Sequence, residues 1–163
     1  MNRLDHDEVR AHVDTDAATL YNMVTDITRT PEWSPEVVSC AWLDGSATAV
    51  PGARFTARNK RRWFAWSNRP VVDVAEPGRE FAFTRTERGG GTIRWFYRFE
   101  PEPRGTVVVL GYQVQRPVPA GLHVILRLLL GVRDLRADLH ANMTTSLGRL
   151  TEIAVRSPAA QGN

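Results

Sequence analysis

The chain has 163 residues, of which 42% are hydrophobic and 24% charged, a composition that fits one globular domain and excludes a disordered or fibrous chain. Its 21 basic and 18 acidic residues leave a net charge of +3, which is too mild to require a polyanionic partner. The single cysteine, Cys40, excludes an intramolecular disulfide and fits the reducing cytoplasm, where we expect the protein to work.

The N-terminal segment is charged where a secretion signal would be apolar, so we do not expect export. Apolar and polar residues then alternate over residues 8–13, which predicts a half-buried strand. Residues 14–16, Asp-Thr-Asp, supply an N-cap and a first-turn acid for a helix that runs to about Asp26. A second short helix or turn is expected over residues 30–33, before Ser34-Pro35.

The middle of the chain predicts a series of strands separated by turn residues. The strands are expected at 37–43, at 53–58, at 63–67 continued by 71–74 as one broken strand, at 79–87, at 93–99 and at 107–115. Three consecutive glycines at 89–91 fit a tight hairpin turn between two of these strands. Strands at hairpin spacing predict an antiparallel sheet that has one face against the core and the other against water.

From about residue 120 to Arg156 the apolar residues recur at steps of three and four, which predicts one long amphipathic helix with Gly131 as the place for a kink. Its apolar stripe needs a large partner, and the concave face of the sheet is the surface that provides one. The expected fold is α+β, with a curved antiparallel sheet of about six to seven strands wrapped around the long C-terminal helix and two short helices after the first strand. We expect a single domain over residues 1–156 and a disordered tail over 157–163.

Several local motifs accompany this order of elements: LYNMVTD at 20–26, PEWSP at 31–35, PGARF at 51–55, WFYRFEP at 95–101 followed by Gly105-Thr106, and MTTSL at 143–147. Together they resemble the START/Bet v 1-like (SRPBCC) superfamily, in particular its bacterial polyketide cyclase/dehydrase-like branch. The resemblance implies a helix-grip fold with an internal pocket for lipids, sterols, quinones, hormones or polyketides. Its members include carriers, ring-closing enzymes, chaperone cofactors and a ribosome-directed group, so the fold does not decide the function.

An aromatic set is the first candidate for the walls of such a pocket: Trp33, Phe55, Trp66, Phe81, Phe83, Trp95, Tyr97 and Tyr112. Strand alternation places most of the strand members on the face that meets the helix. Rings give rigid apolar walls, and the two phenols add polar groups for a ligand oxygen. The alternative is that these rings only fill the core, and that Trp33 only anchors the short helix.

Three residues of the C-terminal helix are the second group of candidates. At 100° per residue Arg136 lies within the apolar stripe, His140 lies at its edge, and Met143 belongs to the stripe itself. Because an unpaired buried charge is costly, an inward-facing Arg136 is expected to bind a carboxylate, enolate or quinone oxygen, while His140 donates a proton or a hydrogen bond. The alternative is that Arg136 extends to solvent or pairs with an acid such as Asp26 or Glu87.

Residues 58–64, with four basic residues followed by Trp63 and Phe64, predict a basic hairpin tip that either contacts RNA, anionic lipid or an acidic carrier protein, or is simply solvated. The apolar residues 122–130 either control access to the pocket or contact a membrane, or are a buried helix start. The four histidines lack ligand spacing, so we expect no metal and no other cofactor.

Three functions follow from these patterns. The favoured one is binding of a small hydrophobic molecule, such as a lipid, quinone or polyketide, in the cavity between sheet and helix. The second is a cyclase, aromatase or dehydratase that uses the same cavity, with His140, Arg136 and Tyr97 as candidate catalytic residues. The third is a ribosome- or membrane-directed interaction through the basic hairpin, with transient contact to a membrane or carrier protein. No specific nucleic acid is expected, and the protein is expected to be a monomer or a homodimer.

Overall fold

The computed structural model describes residues 5–86, 89 and 91–156 of the chain. The elements in chain order are β1 (His6–Val13), α1 (Ala17–Thr25), a 3₁₀ helix (Ile27–Glu32), β2 (Val37–Trp42), β3 (Phe55–Arg61), β4 (Phe64–Asn68), β5 (Val71–Glu76), β6 (Glu80–Thr86), β7 (Thr92–Pro101), β8 (Thr106–Arg116), α2 (Ala120–Leu130) and α3 (Leu135–Arg156). The predicted α+β order is therefore confirmed. The tail predicted at 157–163 lies outside the described residues.

The strands form a five-stranded sheet in the order β1-β8-β7-β6-β5 and a three-stranded sheet in the order β2-β3-β4. All paired strands are antiparallel. The two sheets are joined by backbone hydrogen bonds, because the Phe55 amide donates to the Pro70 carbonyl at 3.2 Å and the Val72 amide donates to the Ala53 carbonyl at 2.8 Å. The eight strands therefore form one curved surface.

The broken strand expected at 63–67 and 71–74 is two strands in two sheets, β4 and β5. The interruption lies at Arg69-Pro70, where proline has no amide hydrogen to donate to a neighbouring strand. On both sides of the interruption the chain pairs with the segment around β3, through Asn68 opposite Ala57 and through Val71 opposite Arg54. The chain therefore changes sheet at the proline and bends the surface there.

Two short helices follow β1 as predicted: α1 has the expected bounds, whereas the second, expected over residues 30–33, already begins at Ile27. The Asp16 side chain caps α1 by accepting from the Thr19 amide at 2.9 Å. The buried residues of α1 include Leu20 and Val24, which belong to the main core. The 3₁₀ helix contains Pro31 and leads into Trp33, which is 1% exposed.

The single C-terminal helix expected from the sequence is two helices, α2 and α3. Gly131 ends α2 in a left-handed conformation with φ 65°, which glycine adopts without steric cost. Asp134 then begins the next helix, because its Oδ1 accepts from the backbone amides of Arg136 and Ala137 at 3.0 and 3.2 Å. A complete helix stop and a new helix start replace the expected kink.

The main core lies between the sheet, α1 and the second half of α3. Leu147, Leu150 and Ala154 of α3 join this cluster and are almost completely buried. A second cluster of Ile93, Leu110, Tyr112 and Met143 joins β7, β8 and α3. A third, of Ala82, Phe96 and Val109, covers the opposite face of the sheet. Within the described ranges, no helix has the length and apolar character needed to cross a membrane.

The turn between β7 and β8 constrains the end of β1. Gly105 has φ 92°, and a Cβ atom there would lie against the carbonyl oxygen of Val13 at less than any real contact distance. The next residue, Thr106, is fully buried and its hydroxyl donates to the Thr15 carbonyl at 2.8 Å. The close approach of two backbones therefore requires glycine at this position.

We expect Gly105→Ala to lower the free energy of unfolding by about 2–3 kcal/mol, because it combines left-handed strain with a backbone collision. The matched control is Gly148→Ala on the exposed side of α3, where a Cβ meets nothing within 4 Å. That control should raise stability by about 0.5–1 kcal/mol through helix propensity. Urea unfolding of the three proteins measures both changes, and equal effects of the two substitutions would contradict the prediction.

Candidate functional site

A cavity with an empty volume of about 960 Å³, including its open mouth, lies between the first half of α3 and the concave face of the sheet. It exists because α3 joins the main core only in its second half. In the first half Leu139, Asn142, Met143 and Ser146 line the cavity instead. Its lining is mostly apolar with a few polar groups, as in sites for small organic ligands.

Six of the residues predicted from the sequence line this cavity: Phe55, Phe81, Phe83, Trp95, Tyr97 and Met143. The rings touch one another across β3 and β6, with Phe55 and Phe83 centroids 5.3 Å apart and Phe81 and Phe83 centroids 5.6 Å apart. Alternation along each strand directs these side chains to the concave face. Their binding of a ligand stays a prediction.

Three other aromatic candidates lie outside the cavity lining. Trp33 is buried in the main core, and Trp66 stacks on Phe64 at 5.6 Å along β4. Tyr112 is fully buried behind Trp95, with ring centroids 5.3 Å apart, so it supports the wall and does not form it. Burial raises the pKa of Tyr112 to about 12, and the nearby charge of Asp7 adds to the shift.

The expectation that Arg136 and His140 face the cavity is wrong in geometry. His140 is exposed and its Nδ1 lies 2.8 Å from Asp7 Oδ2 on β1, and Arg136 lies outside the lining. The physical reason is their place on α3, because both residues lie toward β1 and β8: His140 contacts Asp7 and the charge of Arg136 acts on Tyr112, beside the cavity and not in its lining. Of the acids named as alternative partners, Asp26 accepts from the Thr28 hydroxyl at 2.5 Å, and Glu87 lies outside the described residues.

The polar residues of the cavity were missed by the sequence analysis. Glu36, Asn59, Asn68, Arg85 and Asn142 all line it. Alternation would have found two of them, because Asn59 follows Ala57 by two residues on β3 and Arg85 follows Phe83 by two residues on β6. The pattern was hidden because residues 58–64 were interpreted as an exposed basic tip.

Arg61, expected in that exposed tip, instead joins the sheet to α3. Its Nη2 donates to Asp138 Oδ1 at 2.6 Å, its Nη1 contacts Asp138 Oδ2, and Nη1 also donates to Glu36 Oε1 at 3.1 Å. Asn142 Nδ2 donates to the same Glu36 oxygen at 3.1 Å. The hydrogen bond to Asp138 raises the pKa of Arg61, which keeps its charge fixed at this position. We call Arg61, Asp138, Glu36 and Asn142 the brace.

Glu36 is the one carboxyl group among the described lining residues. Burial raises its pKa above the usual range, the charge of Arg61 opposes the shift, and the charge of Asp138 adds to it. Burial also raises the pKa of Tyr97 to about 12, although the Trp33 indole opposes that shift without a well-formed hydrogen bond. The pKa of Cys40 rises to about 11 for the same reason, so its thiol stays protonated and unreactive.

Arg85 belongs to the same polar region, because it lines the cavity and its charge acts on the Glu36 carboxyl. Its guanidinium carbon lies 5.3 Å from the centroid of the Trp95 ring, a cation–π distance. The Asn68 side-chain amide is oriented so that both its nitrogen and its oxygen have hydrogen-bond partners, and the amide oxygen then accepts from Arg85 Nε at 3.3 Å. Within the described part of the chain, no three His, Cys, Asp or Glu side chains are grouped to hold a metal ion.

Comparison with known protein families gives one match, to the family described as polyketide cyclase / dehydrase and lipid transport, over residues 7–154. No curated protein sequence matches the chain.

Among solved structures, the chain is similar to the di-domain ARO/CYC StfQ from the steffimycin biosynthetic pathway, with TM-score 0.72 and 18% identity, covering 93% of this chain and 50% of that one. It is similar to protein CV1439 from Chromobacterium violaceum, with TM-score 0.69 and 12% identity, covering 92% and 97% of the two chains. A START superfamily protein from Mycobacterium smegmatis has TM-score 0.65 and 15% identity, with coverage of 91% and 99%. At these identities the likeness shows the fold.

The raised pKa of Glu36 predicts how stability changes with pH. Folding favours the protonated carboxyl, so the wild type loses stability relative to Glu36→Gln as the pH rises from about 4 through the raised pKa. Urea unfolding of both proteins from about pH 4 to about pH 8 measures the difference.

Glu32→Gln is the control with the opposite sign. A hydrogen bond from Arg29 lowers the pKa of Glu32, so the wild type should gain stability relative to this variant as the pH rises. The gain should be small because this pair is exposed to solvent. The same sign for both variants would contradict the assignment of Glu36 as the carboxyl that folding prefers to protonate.

Proposed function

The chain belongs to the polyketide cyclase/dehydrase and lipid transport family, and from this premise we propose that it binds a small, largely apolar molecule with a neutral, oxygen-bearing end. The observation that carries the proposal is the division of the cavity into an apolar aromatic wall and one polar region around Glu36 and Arg85. An apolar pocket with a few converging polar groups is the usual design of a small-molecule site.

The apolar wall selects for a flat or flexible hydrophobic body. Phe55, Phe81 and Phe83 stand edge to face or tilted to one another and give a rigid surface at little entropic cost. Met143 and Leu139 cover the same space from the helix side. Lipid, quinone and polyketide bodies all fit this chemistry.

The polar region selects for a neutral group at the end of that body. Among the described residues of this region two carboxyl groups, of Glu36 and Asp138, stand against two guanidinium groups, of Arg61 and Arg85, so acids and bases are equal in number without a charged ligand. A ligand carboxylate would add an uncompensated charge to this half-buried region, which is costly. The cavity amides of Asn59, Asn68 and Asn142 offer both donors and acceptors to a hydroxyl, phenol or carbonyl group.

The first test is native mass spectrometry of the purified protein, with and without denaturation. We expect a stoichiometric small molecule that is released on unfolding, or uptake of added 1-hydroxypyrene as a probe. Ser146→Phe should abolish either signal, because residue 146 is buried and lines the cavity.

Thr145→Phe is the matched control, since the neighbouring side chain points to solvent. It should bind as the wild type does. Equal occupancy of both variants would contradict binding in this cavity. If Ser146→Phe unfolds, the smaller Ser146→Leu provides the same comparison, with folding checked by circular dichroism.

A second candidate function is catalysis of the cyclase, aromatase or dehydratase type in the same cavity. The observation that favours it is Glu36, a carboxyl of raised pKa inside an apolar cavity, which is the kind of group that general acid–base chemistry uses. StfQ, a di-domain ARO/CYC with the same fold, supports this second candidate. In this role Glu36 and Tyr97 replace His140 and Arg136 as the candidate proton-transferring groups.

Glu36→Gln separates the two functions once a ligand is identified by mass spectrometry. A carrier should retain binding to within about threefold, with no chemical change of the ligand in either protein. An enzyme should convert the ligand in the wild type, while the Gln variant binds it and loses turnover by about a hundredfold or more. Conversion that persists in the variant would exclude Glu36 from the chemistry.

A cytoplasmic location and a monomeric or homodimeric state stay predictions.

A further inference from the structure

The outer face of α2 is apolar and uncovered. Val124 is 48%, Ile125 53%, Leu128 78% and Leu129 36% exposed. At 100° per residue these four side chains occupy about 140° of the helix circumference. Scattered exposed residues need no explanation, but a contiguous apolar face marks an interaction site.

The turn between β3 and β4 adds an exposed tryptophan next to this face. Trp63 is 72% exposed, whereas tryptophan side chains are on average largely buried in folded proteins. The preceding Arg62 places its Nη1 2.9 Å from the position that a Cβ would occupy on Gly131, the residue that ends α2. The turn and the end of α2 are therefore adjacent. We call Val124, Ile125, Leu128, Leu129 and Trp63 the apolar face.

The surroundings of the apolar face are basic. The apolar face is formed by two chain segments, residues 56–67 and residues 115–133, and neither contains an acidic residue. The exposed basic side chains in these segments are Arg58, Lys60, Arg62, Arg116 and Arg133. Arg61 does not add to this exposed positive charge, because it pairs with Asp138 in the brace.

We propose that the apolar face and its basic border dock on the surface of an anionic phospholipid bilayer. Apolar side chains with a tryptophan, bordered by arginine and lysine, combine burial at the acyl boundary with attraction to negative headgroups. A second copy of the chain is disfavoured as the occupant, because a two-fold interface would set one basic border against the other. Nucleic acid would use the charges but leave the leucines and isoleucine in water.

The position of α2 gives this docking a relation to the cavity. The first turn of α2 contacts the turn after β6, where Leu122 lies against Gly89. The helix ends at Gly131, beside the β3–β4 turn. The same two hairpins carry Arg85 and Asn59 of the cavity. Docking through the apolar face therefore brings the polar end of the cavity close to the lipid headgroups. The docking itself goes beyond the proposed ligand binding and does not require it.

Vesicle sedimentation tests the proposal. The purified protein should bind vesicles of phosphatidylcholine mixed with phosphatidylglycerol, bind pure phosphatidylcholine vesicles much less, and be released by salt. Leu128→Glu should weaken binding by about tenfold or more, because it places a negative charge at the centre of the apolar face. Val155→Glu is the matched control, since Val155 is 56% exposed near the other end of α3, and it should bind as the wild type does.

The fluorescence of Trp63 provides a second readout, independent of sedimentation. Its emission should shift to shorter wavelength on anionic vesicles and be quenched by lipids brominated in the acyl chains, and Trp63→Phe should remove this change. Absence of binding to anionic vesicles, or equal binding by Leu128→Glu, would overturn the proposal. It would also be overturned if the wild type were a dimer that Leu128→Glu converts to monomers, because a second copy would then cover the face.

Discussion

The contact between Arg61 and Asp138 is the interaction on which the cavity depends. It joins β3 to the first turn of α3, ahead of the residues by which the helix enters the main core. The side chains of Arg61 and Asp138 are 24% and 19% exposed, so water screens the pair only in part. Apolar packing in the main core fixes the second half of the helix, and in the first half a two-point charged contact adds to the packing of Leu139 and Met143 against β7 and β8. The space between these supports stays open because neither requires it to be filled.

The brace also creates the chemistry of the cavity. It brings the Glu36 carboxyl to the lining, where burial opposes its ionisation and Arg61 favours it. A carboxyl held between these opposing influences is able to hydrogen-bond a neutral ligand in either protonation state. Asn142 on α3 completes the arrangement, so helix, sheet and the segment after the 3₁₀ helix meet at one oxygen atom. The structural support and the polar end of the site are thus the same residues.

The family and the fold agree, and they leave the function open for a physical reason. The match over residues 7–154 confirms the polyketide cyclase-like branch that the sequence motifs indicate, and the START superfamily neighbour shares the fold. These motifs are scaffold features, such as the close backbone approach at Gly105 and the buried Thr106 hydroxyl. Ligand choice depends instead on the few side chains that face the cavity, and on whether Glu36 only binds or also transfers a proton.

The sequence by itself determined the strands, their inward faces and the aromatic wall. Phe55, Phe81, Phe83, Trp95 and Tyr97 were assigned correctly to the concave face because alternation along a strand is a local property of the backbone. Met143 was also placed correctly, but Arg136 and His140 were not. Helical phase finds the face of α3 that meets the sheet, but not which part of that face meets the cavity and which part meets β1 and β8, where His140 contacts Asp7.

Only the tertiary structure decided which polar residues meet. Arg61 and Asp138 are 77 residues apart, and Glu36 and Asn142 are 106 residues apart, so no local pattern relates them. Arg61 looked like one of several surface arginines, and its inward position follows from where α3 begins over the sheet. Long-range pairing depends on how separate elements pack, and that packing is set by the shape of the whole core and not by the sequence next to either residue.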